Sequence, residues 1–180
     1  MDTKFKIQIA EERWLKSYCD LHYENGYAIK TFNKNFPKHV DYHWLHYYNK
    51  FLEYNDTPVR VHDVKDNKIV MDYIPGSVTA IQYIYREGSS EKRLSKVASC
   101  IYKLIHDMFK FSDDYNNYFY HEDLNLTNFV IYEDKITLVD PESFVFRDTV
   151  NWNALQQPIM NLAKVSHKIM DKSITETKFY

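Results

Sequence analysis

The strongest constraint on this chain is a change of hydrophobic period at Ile74-Pro75-Gly76. Up to that point the sequence consists of short strand-like runs: Phe5 to Ala10, Tyr18 to Tyr23, Tyr27 to Phe32, Val59 to Val64 and Lys68 to Tyr73. Runs of this length, rich in aromatic and β-branched residues and bounded by turn formers, predict strands. Asn25-Gly26 divides two of them and predicts a tight hairpin, since both residues tolerate the positive φ such a turn demands. Asp66-Asn67 forms the turn between the last two. One helix interrupts the series, from Lys38 to Tyr54, starting after Pro37 and stopping before Asn55-Asp56-Thr57-Pro58.

Past Gly76 the period becomes helical. Leu94, Val97, Ala98, Ile101, Leu104, Ile105, Met108 and Phe109 recur at three- and four-residue steps and predict an amphipathic helix from Glu91 to Lys110. Tyr120 to Asn128 has too little periodicity for a regular element. Phe129 to Tyr132, the turn Glu133-Asp134 and Lys135 to Val139 then predict a tight hairpin, and Trp152 to Met170 one or two final helices. The expectation is an α+β chain in two lobes: a small antiparallel sheet with one helix over residues 1–75, and a shortened, mostly helical lobe over residues 76–180.

Composition removes several function classes. The 180 residues include only three glycines, Gly26, Gly76 and Gly88, so no phosphate loop of the form G-x-G-x-x-G or G-x-x-x-x-G-K-[ST] can be written. With 23 basic and 25 acidic residues the net charge is −2, and the basic footprint of a nucleic-acid binder is missing. Cys19 and Cys100 form no C-x-x-C pair and are expected to be reduced, buried thiols. The first ten residues lack the apolar core of a signal peptide, and no apolar run is long enough to span a bilayer. The chain therefore reads as a cytoplasmic protein, in the host cytoplasm if it is viral.

The hairpin yields the sharpest chemical inference. With Glu133-Asp134 as the turn, Phe129 faces Leu138 and Asn128 faces Val139, so Asn128 and Asp140 meet at the open end. An amide oxygen beside a carboxylate is a hard pair suited to Mg²⁺, which takes one or two protein ligands plus substrate phosphates. Asp123 stands five residues before Asn128, placed to accept a proton from a nucleophile. Taken singly, Asp123 and Asn128 are better explained as turn caps.

The order of motifs goes further. His121-x-Asp123-Leu124-x-x-x-Asn128 followed by Leu138-Val139-Asp140 resembles the catalytic loop and metal-binding aspartate of the protein-kinase-like superfamily, which includes protein kinases and the aminoglycoside and choline phosphotransferases. Tyr27-Ala28-Ile29-Lys30 resembles its third-strand V-A-I-K motif, and Met71 to Gly76 its hinge. The resemblance covers residues 5 to 160. It implies that Lys30 holds the ATP α- and β-phosphates, that Asp123 orients or deprotonates the attacking hydroxyl, and that Asn128 and Asp140 bind Mg²⁺. It further implies that the backbone of Asp72 and Ile74 binds adenine, with Met71 lining the pocket. Phosphoryl transfer depends mainly on positioning and charge stabilisation, which such a set supplies.

The departures from that pattern are equally specific. Glu11 to Tyr18, where the family places its glycine loop, contains no glycine; Ser17 or Lys16 would assist phosphate there. The family's glutamate partner for Lys30 would fall near His46, with Asp41 and Glu53 as alternatives. Glu122 replaces the arginine that reads a phosphorylated activation loop, Asn125 replaces a lysine, and Asp140 is followed by Pro141-Glu142. The stretch to Trp152 is too short for a regulatory activation segment, so control by its phosphorylation is not expected.

Two other clusters carry bland explanations. His39, His43 and His46 share one helical face, but no cysteine or acidic partner completes a zinc site, and packing or solvent exposure accounts for them. Lys164, Lys168 and Lys172 form a stripe that reads as a solvated helix face. The expected function is ATP- and Mg²⁺-dependent phosphorylation of a hydroxyl, favouring a protein Ser/Thr over a small molecule. The alternatives are a pseudokinase that holds nucleotide or a protein partner without transfer, and transfer of the nucleotidyl group.

Overall fold

The computed structural model describes residues 19–33, 44–57, 59–65, 67–86 and 91–177. The predicted strand at Phe5 to Ala10, the loop Glu11 to Tyr18 with Ser17, and Asp41, His39 and His43 lie outside these residues. The chain divides into two compact units, Met1–Pro75 and Gly76–Tyr180.

In the first unit, β1 (Cys19–Glu24), β2 (Tyr27–Phe32), β3 (Val61–Lys65) and β4 (Lys68–Asp72) form an antiparallel sheet of order β1-β2-β4-β3. The Asn25-Gly26 turn closes β1 onto β2 with both residues at positive φ, 52° and 85°, and with Glu24 opposite Tyr27. Register then decides which side chains share a face. Lys30 lies opposite Leu21 and Ile69, Ala28 opposite Met71, and Phe32 opposite Cys19. Phe32, Ile69, Met71, Cys19 and Val61 are buried, so this face is the apolar one.

Helix α1 (Trp44–Tyr54) contributes the buried Tyr48, Phe51 and Leu52. It is tied to the sheet by Asn49, whose amide donates to Val61 O at 2.9 Å and accepts from Val61 N–H at 3.0 Å. The helix ends as its turn residues predict. Asp56 takes φ 50°, and Thr57 N–H returns to Leu52 O.

The strand expected at Val59 begins at Val61 instead. Asp72 intervenes: its carboxylate accepts from Arg60 N–H at 2.9 Å while its own N–H donates to Arg60 O at 2.9 Å. A side chain thus takes the place of a ladder partner, and a bulge follows between Val61 and Asp63.

In the second unit, β5 (Val78–Thr79) leads directly into α2 (Ala80–Tyr85), neither of which is anticipated by periodicity. A capping box starts α2: Gln82 N–H donates to Thr79 Oγ1 and Thr79 N–H to Gln82 Oε1. The signal was present as Thr79-x-x-Gln82. Helix α3 (Glu91–Asp113) runs three residues past its predicted end and buries Val97, Ile101, Leu104, Met108 and Phe111, the spacing of one helical face. Cys100, expected to be buried, is only partly so, because it sits off that face.

The larger correction concerns Tyr120 to Asn128. Its first residues belong to β6 (Tyr118–His121), which pairs with β9 (Phe144–Arg147), so that Tyr118 faces Arg147 and His121 faces Phe144. Local periodicity could not show this, since the partner lies more than twenty residues away. Ser112 at the end of α3 joins helix to strand, donating to Met108 O and accepting from Phe119 N–H, each at 2.7 Å. Phe119 stacks on Phe144 with centroids 5.0 Å apart.

The predicted hairpin forms as β7 (Phe129–Tyr132) and β8 (Lys135–Leu138), with Phe129 opposite Leu138 and with β5 on its other edge. Helix α4 (Trp152–Thr177) is one continuous element that accommodates Pro158. It packs along α3, which also lies against α2, β6 and β8.

Candidate active site

Each unit carries part of the predicted set. In the first, Lys30 sits on the apolar face of the sheet and is only 6% exposed. A buried lysine among Ile69, Met71 and Phe32 is costly to place there without compensation. Part of that compensation is the Phe32 ring, whose centroid lies 5.5 Å from Nζ. Met71 shares this face, opposite Ala28 and Val61. Asp72 ends β4 with its N–H held by Arg60 O and its carboxylate held by Arg60 N–H and by His62 Nε2 at 2.6 Å. Ile74 lies beyond the strand ladder, after Tyr73 N–H has bonded Gly26 O. Of the alternatives for the partner of Lys30, Glu53 is 3.7 Å from Arg60 Nε, and His46 is exposed with its ring edge-on to Tyr47.

In the second unit His121 bonds the backbones of Asp123, Val139 and Asp140, and Asn128 joins the group through Asp123. Its ring is fully buried, set edge-on against Phe144 at 4.7 Å. Nδ1 accepts from Asp123 N–H at 3.1 Å, so the ring proton belongs on Nε2. Nε2 then donates to Val139 O at 3.0 Å and Asp140 O at 3.1 Å. Burial pushes the His121 pKa below its ordinary value, outweighing the opposing pull of the Asp140 and Asp123 charges and of its bonds to the two carbonyls. A neutral ring is what this bonding pattern requires, because a protonated Nδ1 would confront an N–H. His121 therefore works as a fixed bracket between the loop and the end of β8.

Between His121 and the hairpin, Leu124 and Leu126 are buried and anchor the loop. Asn128 N–H closes a turn onto Asn125 O at 2.9 Å, and Val139 N–H donates to Asn128 O at 2.9 Å, which is the expected meeting of Asn128 and Val139 at the hairpin mouth. The Asn128 side chain turns back. Its Nδ2 donates to Asp123 O at 2.9 Å and to Asp123 Oδ2 at 3.1 Å. Both amide hydrogens are thereby engaged, and Oδ1, a hard oxygen, points away from Asp123.

Asp140 adopts a left-handed conformation, φ 63° and ψ 59°, which aspartate tolerates better than most residues. The following Pro141 opens a 3₁₀ turn, Pro141–Ser143, closed by Ser143 N–H on Asp140 O. An amide oxygen and one carboxylate are the donor types that fit Mg²⁺ rather than a softer metal. Among the described residues no group of three or more His, Cys, Asp or Glu side chains gathers to hold a metal.

Two residues of this site escaped the sequence reading. Gln157 of α4 donates from Nε2 to Asp123 Oδ1 at 3.1 Å. Tyr120, buried in β6, accepts from Asn151 N–H at 3.2 Å and so holds the start of α4. No local signal marks either, since both contacts span more than thirty residues. Glu122, in the slot of the missing arginine, pairs with Arg147 at 3.1 Å, and its N–H donates to Ser143 O.

The fold is a protein-kinase-like α+β fold, with a small antiparallel sheet in its N-terminal part and a mostly helical C-terminal part. The chain is similar to the bifunctional kinase-methyltransferase WbdD, at 17% identity and TM-score 0.50, over 83% of this chain and 35% of that one. It is also similar to the choline kinase LicA from Streptococcus pneumoniae, at 15% identity and TM-score 0.47, over 87% of this chain and 74% of that one. The Cydia pomonella granulovirus kinase PK-1 is similar at 13% identity and TM-score 0.44, over 78% of this chain. The chain spans 60% of the length of that kinase. No family model and no curated protein matches the sequence. Among the described residues no helix is long and apolar enough to cross a membrane.

Proposed function

We propose that this chain is an ATP- and Mg²⁺-dependent phosphotransferase acting on a hydroxyl. The observation that carries the reading is the Asp123–Asn128 pair: one carboxylate held as a proton acceptor by an amide whose remaining oxygen is of the kind Mg²⁺ takes. Asn128 Oδ1 and the Asp140 carboxylate would hold the ion. Mg²⁺, when bound, neutralises charge on the transferring phosphates. Asp123 orients the acceptor hydroxyl and accepts its proton. Lys30 receives the α- and β-phosphates, and adenine lies against Met71, bonded by the backbone of Asp72 and Ile74. Because Asp72 N–H is held by Arg60, its carbonyl is the group on offer to adenine.

The acceptor we favour is a protein serine or threonine over a small molecule. The residues between Asp140 and Trp152 hold one 3₁₀ turn and β9, with no inserted segment to wall in a small acceptor.

Thermal unfolding with and without Mg-ATP tests the binding half. Ligand at a hundred times its Kd adds about 2.7 kcal/mol, or about 5–10 °C. ATP turnover by wild type and Asp123→Ala tests the chemistry, with an expected loss of roughly 10²–10⁴-fold. Equal rates in the two proteins would remove Asp123 from its role, and binding without turnover would indicate a pseudokinase. Mass spectrometry of proteins from a cell extract incubated with ATP separates phosphorylated from nucleotidylated products and shows whether the acceptor is a protein.

A further inference from the structure

We infer that Gln157 is a positioning residue for Asp123, an inference that rests on the phosphotransferase reading and extends it to helix α4. The Asp123 carboxylate is gripped at both ends. Asn128 Nδ2 holds Oδ2 at 3.1 Å and Gln157 Nε2 holds Oδ1 at 3.1 Å. One amide on one oxygen would leave the carboxylate free to swing about its terminal torsion, which is soft at an sp³–sp² bond. Two amides arriving from different elements fix that torsion. Each carboxylate oxygen has two lone-pair sites, so a bond to each still leaves sites for a hydroxyl proton. Only the amide nitrogen of Gln157 can face the carboxylate, since its oxygen would repel it.

The surroundings hold Gln157 in place. Its neighbours Ala154, Leu155 and Pro158 are buried. Asn151 starts the helix by accepting from Ala154 N–H and is itself bonded to Tyr120 Oη. Tyr120 immediately precedes His121, which in turn sets the backbone of Asp123. The carboxylate and its second clamp are thus referenced to the same strand, β6. A misplacement of about 1 Å in such a group can cost on the order of 100-fold in rate.

The test uses the full chain with Mg-ATP as the probe and water as acceptor. Gln157→Leu keeps the volume and removes the donor; Gln157→Asn keeps a donor on a shorter stem. Gln157→Leu should lower kcat by about 10- to 100-fold with KM for ATP unchanged within about twofold, and Gln157→Asn should recover part of the loss. A kcat equal to wild type, or a loss seen entirely in KM, overturns the positioning role. The second arm needs no activity. The Gln157 side-chain amide signal, assigned by its disappearance in Gln157→Leu, should move in Asp123→Asn. A signal that stays in place shows that the clamp is absent and overturns the inference. If wild type transfers phosphate from ATP neither to water nor to any protein of a cell extract, the phosphotransferase reading and the catalytic half of the inference fall together, while the amide signal still reports on the clamp.

Discussion

The Lys30 face of the first unit and the Asp123 loop of the second solve the same problem, holding a charged group in place, by different means. Lys30 is placed by strand register: its position in β2 follows from the hairpin at Asn25-Gly26, and its neighbours Leu21 and Ile69 follow from the ladder. Asp123 sits on irregular backbone, and its position is set by side chains bonding across the chain, from His121, Asn128 and Gln157. Register is a cooperative property that survives the loss of one side chain. A bracket is a single point of failure. Substitutions around Lys30 should therefore be mild for stability, and those around Asp123 severe.

His121→Ala is the hardest blow to that contrast. It removes a buried ring packed on Phe144 and leaves Asp123 N–H and the Val139 and Asp140 carbonyls without this partner. We expect a loss of about 3–4 kcal/mol, or roughly 6–16 °C in Tm. A loss under about 1 kcal/mol would show that the loop does not hang on this ring.

Acid should find the same bracket. Since burial lowers the His121 pKa in the folded chain, the unfolded chain binds more protons once pH falls below the ordinary value of 6.5. This contribution is flat above pH 6.5, and stability falls as pH drops from there toward the folded pKa, with a slope of up to about 1.4 kcal/mol per pH unit. Urea denaturation at pH 7.0 and about 5.5 should show a steeper loss for wild type than for His121→Asn, by a margin that approaches this slope. Parallel curves would mean that the ring titrates freely in the folded state.

Lys30→Met tests the other side of the comparison. A methionine suits the face formed by Ile69, Met71 and Phe32, and replacing even a paired buried charge with an apolar side chain is often neutral or better. Stability should change by less than about 1 kcal/mol while the Mg-ATP-induced rise in Tm disappears. A large loss of stability would place Lys30 among the brackets instead.

The smallest effect belongs to Glu122–Arg147. The arginine side chain is 54% exposed and the glutamate 23%. Discounted for solvent screening, Glu122→Gln should cost about 0.2–1 kcal/mol, and less in high salt. A greater cost would make this pair, rather than the β6–β9 ladder, what holds the residues after Asp140.

What could be read in advance follows the same division. The sheet of the first unit was legible because Asn25-Gly26 and the alternation in Tyr27 to Phe32 are local signals. The exception, β3 starting at Val61 rather than Val59, came from an Asp72 carboxylate that pattern cannot see. In the second unit the turn and register of the β7–β8 hairpin were legible, and with them the approach of Asn128 to Val139, although β8 ends at Leu138 rather than Val139. Strand β6 was not, because Tyr118 to His121 has a partner only in β9. Tyr120, Gln157 and the role of His121 were invisible for the same reason.

By itself, then, the sequence determined the change of architecture at Gly76, the hairpins on either side of it, and the residue types that could carry chemistry. Those features depend on backbone preference and on burial period, which act over a few residues. Only the tertiary structure decided that His121 is neutral and faces two carbonyls, that Asp140 turns left-handed, and that Asn128 and Gln157 grip opposite oxygens of Asp123. Each of these requires a donor and an acceptor distant in sequence to be buried side by side, and only folding brings them together.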